Sequence, residues 1–123
     1  MDIYKGEDKT INLTVSSDGV ILDLSTVVDV VVIVYYKQTG AILNKYKKIP
    51  ATGYDSFTVV SAPAGTAKVL LQRATTLNAP DGPIVMDVKL QFTDASFQAG
   101  LFDAVSKGIL LGQIVDTVTK GEL

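Results

Sequence analysis

A chain of 123 residues, 47% hydrophobic and 20% charged with a formal charge of −2, fits one domain around one hydrophobic core and offers phosphate no concentrated basic face. It holds neither cysteine nor histidine, which excludes disulfides, thiolate and imidazole metal sites, thiol nucleophiles and histidine-dependent triads. For so short a chain the apolar fraction is high, so either the core is generous or a partner covers part of the surface. Assembly is the expectation.

The N-terminus, "MDIYKGEDKT", turns polar at once and lacks the apolar stretch and cleavage site of a secretory signal, so it reads as the start of the mature chain. In "KTINLTV" at 9–15, Ile11, Leu13 and Val15 alternate with Thr10, Asn12 and Thr14, which predicts a half-buried strand. "SSDG" at 16–19 predicts a turn with Gly19 free to take positive φ, and "VILDLS" a short extended piece. The run "VVDVVVIVYY" at 27–36 is half the ~20 residues that a membrane-spanning helix needs, contains Asp29, and is almost wholly β-branched or aromatic. It predicts a strand buried on both faces, with Val30, Val32 and Val34 on one and Val31, Ile33 and Tyr35 on the other, that lies centrally or has its outer face covered by another chain.

"KQTG" at 37–40 predicts a hairpin into "AILNKYKKI". The lysines around Tyr46 in "NKYKK" at 44–48 form a solvated strand face or edge rather than a nucleic-acid site. A short strand around Ser56–Val60 follows, then a strand at 67–72, a one-turn helix or loop over "RATTLNAP", and a turn at Asp81-Gly82-Pro83. From Ile84 the apolar residues Ile84, Met86, Val88, Leu90 and Phe92 alternate with Asp87, Lys89, Gln91 and Thr93, the clearest strand signal in the chain. "ASFQAGLFDAVSKG" reads as a connection to a last strand, "ILLGQIVDTV". About seven short strands without sustained helical periodicity predict an all-β antiparallel sandwich.

The order of these features resembles a known family. "KGEDKTINLTV", then "SSDGVILDLSTVVDVVVIVYYKQTGAIL", then "GTAKVLLQRATTLNAPDGPIVMDVKLQFTD" is similar to the immunoglobulin-like N-terminal domain of phage baseplate upper proteins and related phage tail and virion proteins. In that family a charged, Gly-containing entry leads to a first strand, a D-G turn, an apolar D-L-S/T approach to a long strand, and later an alternating strand. The chain departs from it at Pro83, where a simple glycine lead-in is usual, and at the long apolar stretch "SFQAGLFDAVSKG". The resemblance implies a single immunoglobulin-like sandwich over 1–123, located in the virion, that works by contacts with other virion structural proteins as a homo- or hetero-oligomer. The competing function is a carbohydrate- or protein-binding module of a cell-surface adhesin, with Tyr35, Tyr36, Tyr46 and Tyr54 as an aromatic platform. Each of these tyrosines alternatively packs in a strand with its hydroxyl at the rim.

Catalysis is not expected. Asp81, Asp87, Asp94, Asp103 and Asp116 are the candidate acids and bases, but most fall in turns or at outward strand positions and no nucleophile motif accompanies them. No EF-hand or phosphate-loop spacing is present, so no metal, cofactor, nucleic acid or membrane is expected as a partner. The candidate interface is "SFQAGLFDAV", 96–105, where Phe97, Leu101, Phe102 and Val105 surround Gly100. It reads either as a loop that caps one end of the core or as a contact loop whose aromatic side chains anchor a partner.

Overall fold

The computed structural model describes residues 2–17, 20–93 and 101–115, and for residues 17, 92, 93 and 101–107 the backbone alone. In chain order the elements are β1 (Asp2–Tyr4), β2 (Lys9–Thr14), β3 (Ser16–Ser17), β4 (Val20–Ile21), a 3-10 turn (Leu24–Thr26), β5 (Val27–Tyr36), β6 (Ile42–Lys47), β7 (Asp55–Ser56), β8 (Thr58–Ser61), β9 (Thr66–Leu71), α1 (Arg73–Thr76), β10 (Gly82–Thr93) and β11 (Leu101–Val115). They form an all-β sandwich: a six-stranded sheet in the order β1-β11-β10-β5-β6-β7 faces a three-stranded sheet, β2-β9-β8, and β3 and β4 make a small ribbon. The large sheet is mixed rather than purely antiparallel, because β1 runs parallel to β11 and β7 parallel to β6.

The alternation read from the sequence sets the inner faces. In β5, Val30, Val32, Val34 and Tyr36 are buried, and the register places Leu90, Val88, Met86 and Ile84 of β10 beside them. Opposite lie Ile11 and Leu13 of β2 and Ala67, Val69 and Leu71 of β9, all buried. Each such aliphatic side chain contributes roughly 1.5–3 kcal/mol by leaving water. The strand is central, between β10 and β6, and its second face is not sealed within this chain: Val31, Ile33 and Tyr35 are half-buried.

"VILDLS", expected to be extended throughout, is strand only at Val20–Ile21 and then turns as the 3-10 segment Leu24–Thr26, and Asp23 explains the turn. Its carboxylate accepts the Ser25 N–H at 2.9 Å and the Ser25 hydroxyl at 2.7 Å, capping the turn while Leu24 drops into the core. The one-turn helix α1 is fastened by Thr76, whose buried hydroxyl donates to the Glu7 carbonyl at 2.9 Å and accepts the Gly6 N–H at 3.1 Å.

Between β7 and β8 the chain changes sheets within one residue. Asp55 and Ser56 pair with β6, Thr58 pairs with Lys68 of β9, and Phe57 between them is buried. Past Lys68, β9 has therefore lost β8 as a neighbour. The Tyr46 hydroxyl fills this gap by donating to the Leu70 carbonyl at 2.8 Å, so a side chain of the large sheet completes the small one.

Two further segments differ from what the residues predict. The segment read as a contact or capping loop becomes strand from Leu101 onward, with Leu101, Phe102 and Val105 in register with Thr93, Phe92 and Lys89. From Leu101 the chain is the antiparallel partner of β10, and residues 96–100 of that segment lie outside the described residues. The other segment is β1, which reads as a charged entry in the sequence and pairs Asp2, Ile3 and Tyr4 with Gln113, Ile114 and Val115. Residues 18 and 19 of the predicted D-G turn lie outside the described residues.

Asp29, the polar residue in the apolar run, is buried and ion-paired with Lys47, and its carboxylate also accepts the N–H groups of Val30 at 2.9 Å and Ile49 at 3.0 Å. Burial alone would raise its pKa, but these hydrogen bonds and the Lys47 charge together hold it below the usual carboxylate value. The stability so gained is complete above the unfolded carboxyl value of ~3.9 and is lost as the pH falls through it toward the lower folded value. Asp29→Asn is expected to lower stability by about 1–3 kcal/mol at pH 7. In thermal melts its Tm should approach that of the parent as the pH drops below ~4. An equal Tm gap at pH 7 and at pH 2.5 would show that ionisation of Asp29 contributes nothing.

Candidate functional site: the open face of the large sheet

One face of the large sheet builds the core and the other is open, and strand pairing sets what the open face presents. Register aligns Ile42 of β6 with Tyr35 of β5, Tyr35 with Val85 of β10, and Val85 with Leu110 of β11. The result is an apolar row across four adjacent strands. Its ends are open to water, with Ile42 59% and Leu110 66% exposed, while Tyr35 is half-buried and Val85 only 4% exposed. β-Bulges at both ends of the row make this possible. The register shifts beside Tyr35 and beside Val85 each insert one residue, Leu43 and Leu111, and both inserted side chains pack against the core.

The next row is polar at its ends: Lys45, Ile33 and Asp87 stand side by side. Asp87 ties three strands together, because its carboxylate accepts the Tyr35 hydroxyl at 2.9 Å and the Gly108 N–H at 2.9 Å. Gly108, at φ +69°, lies where a further register shift frees that N–H from the ladder. The hydrogen bond to Asp87, then burial, raise the pKa of Tyr35, so this phenol stays protonated and keeps donating through the physiological range. One row further on, Lys47, Val31 and Lys89 line up.

The predicted aromatic platform does not assemble. Tyr46 is fully buried, with burial pushing its phenol up to about 12, and Tyr36 is buried with its hydroxyl on the Pro80 carbonyl at 2.8 Å. Tyr35 belongs to the open face, and Tyr54 is held at the sheet crossing with the Lys45 ammonium 4.7 Å from its ring centre. Strand alternation separates adjacent Tyr35 and Tyr36, sending them to opposite faces.

Two concavities lie elsewhere among the described residues. One of about 370 Å³ lies at a sandwich end between the β5–β6 hairpin and the loop before β10, lined among others by Gln38, Thr39, Asn78 and Asp81. The other, of about 400 Å³, is the notch left where β8 departs from β9, lined by Tyr54, Asp55, Thr58, Lys68 and Gln72. Of the carboxylates considered for catalysis, Asp81 pairs with Lys5 at 2.6 Å and Asp87 holds the strand knot. Asp94 and Asp116 lie outside the described residues. Among the described residues no three acidic side chains group as metal ligands would.

Of the interface residues read from sequence, Leu101, Phe102 and Val105 share β11, and Phe97 lies outside the described residues. The row from Ile42 to Leu110 was missed. Its signal was Val85, an apolar residue at a position that the alternation of β10 assigns to the polar face. Compared with models of known protein families and with curated proteins, the sequence matches none.

Proposed function

We propose that this chain is a non-enzymatic structural component of a phage virion, an immunoglobulin-like sandwich that acts through contacts with other virion proteins. The observation that carries the contact part of this reading is the apolar row on the open sheet face, whose exposed ends Ile42 and Leu110 are large aliphatic side chains. Large aliphatic side chains exposed at both ends of one row on a hydrogen-bonded sheet suit protein contact better than small-molecule chemistry, which needs enclosure and converging polar groups. The virion setting rests on the order of motifs from "KGEDKTINLTV" to "VMDVKLQFTD". Mass spectrometry of purified particles from the parent phage, with immunogold labelling, tests it. The chain is expected in stoichiometric amounts at one structural location, and its absence from particles would overturn the reading.

A second reading, an adhesin module that binds glycan, is favoured by the notch beside Tyr54, where a half-buried ring stands among Thr58, Lys68 and Gln72. Saturable glycan-array binding lost in Tyr54→Ala would support it, and an array without signal would eliminate it.

A further inference from the structure

We infer that the open face of the large sheet docks against the same face of a second copy of this chain, about a two-fold axis that runs along the strands between β5 and β10. The inference deepens the contact reading above and rests on it only for the premise that this face is used in assembly. Such an axis exchanges β5 with β10 and β6 with β11, the four adjacent strands that carry the apolar row. The row then falls on itself, Ile42 against Leu110 of the copy and Tyr35 against Val85 of the copy, so each exposed end is covered by the other kind of end. A two-fold interface is self-complementary in this sense: residue i meets j, and j meets i.

Charge follows the same exchange. In the next row Lys45 stands on the β6 side and Asp87 on the β10 side. After the exchange, Lys45 stands one strand spacing, ~4.8 Å in projection, from Asp87 of the copy across a sheet separation of ~10 Å, which the two side chains together span, and this happens on both sides of the axis; in the row beyond, the same exchange sets Lys47, already ion-paired with Asp29, beside Lys89 of the copy. A two-fold axis laid across the strands instead sets Ile42 against Ile42 and carries Lys45 beyond the sheet, over the hairpin turn of the copy. The face is also large enough. Four strands at ~4.8 Å and ten residues at ~3.3 Å offer roughly 600 Å² in projection, and more with side-chain relief, against about 800 Å² per partner in a standard interface. Aligned sheets pack face to face within about 30°, which keeps neighbouring rows in contact near the axis.

The chain has no cysteine, so introduced thiols report the geometry without background. Ile42→Cys and Leu110→Cys, both at exposed positions, are oxidised separately and as an equimolar mixture. Only the mixture is expected to give disulfide-linked dimers, each joining one variant of each kind. In sedimentation equilibrium the unmodified protein is expected to dimerise, and Leu110→Asp to weaken the dimer by at least about ten-fold, while at dilutions where both proteins are monomeric their thermal melts coincide. A monomer at about 100 μM, or links formed by either single variant alone, overturns the inference. A protein that is monomeric yet present in purified particles overturns this inference and leaves the contact reading intact. Mixed-variant dimers of a protein absent from particles support it and overturn the virion setting instead.

Discussion

Truncation of Tyr46 to alanine is expected to cost about 3–5 kcal/mol, the range for removing a buried aromatic side chain, and to lower Tm by roughly 10–20 °C. Tyr46 is fully buried, and its ring extends from β6 of the large sheet to β9 of the small one. Two losses add: a cavity opens between the sheets, and the Leu70 carbonyl loses its hydrogen-bond donor where β8 has turned away. Tyr46→Phe separates them, because it keeps the ring and removes only the hydroxyl, for an expected cost of about 1–3 kcal/mol. Chemical denaturation of the three proteins measures both terms. If Tyr46→Phe were as stable as the parent, water would be reaching the Leu70 carbonyl through the notch and the strand-crossing account would fail.

Gly65→Ala is expected to destabilise by about 2–4 kcal/mol. Gly65 has φ +67°, and a Cβ there would sit 2.6 Å from the Leu22 carbonyl oxygen, 2.9 Å from the Val15 carbonyl oxygen and 2.9 Å from Ile21 Cγ2. Two of these three atoms are backbone, and the residues that carry them are tied in place: the Leu22 N–H donates to Val15 O at 2.9 Å, and the Val15 N–H donates to Gly65 O at 2.8 Å. The β8–β9 turn can admit a methyl group only by pulling away from Val15, which follows β2, and from Ile21 at the end of β4 and Leu22 beyond it. Gly40 provides the control, with φ +75° but nothing within 4 Å of its would-be Cβ. Gly40→Ala should therefore show the conformational term alone, about 1 kcal/mol. Equal losses at the two sites in urea denaturation would mean that φ alone, and not the close approach, restricts Gly65.

Several parts of this fold are legible in the residues because their signals are local. The period of two from Ile84 to Phe92 and the β-branched run from Val27 to Tyr36 mark β10 and β5, since alternation and branching act within a few residues of the chain. "KQTG" marks the turn that joins β5 to β6. The all-β class follows from these, as does a core built on Val30, Val32, Val34, Ile84 and Met86.

What only the tertiary structure decided depends on neighbours far along the chain. β1 is a strand because β11, more than a hundred residues later, offers it a parallel ladder. Three residues carry no pattern that could announce it. Leu101–Val105 becomes strand for a similar reason: the free edge of β10 supplies hydrogen bonds to a sequence whose own periodicity is ambiguous. The four tyrosines meet different fates, because what separates a buried strut such as Tyr46 from a surface ring such as Tyr54 is where β8 leaves β9, a fact of sheet topology. The candidate contact row is a product of register in the same way. Ile42, Tyr35, Val85 and Leu110 are scattered through the chain and become neighbours because two bulges shift β6 and β11 by one residue each, and a shift of one residue turns a side chain from one face of a sheet to the other.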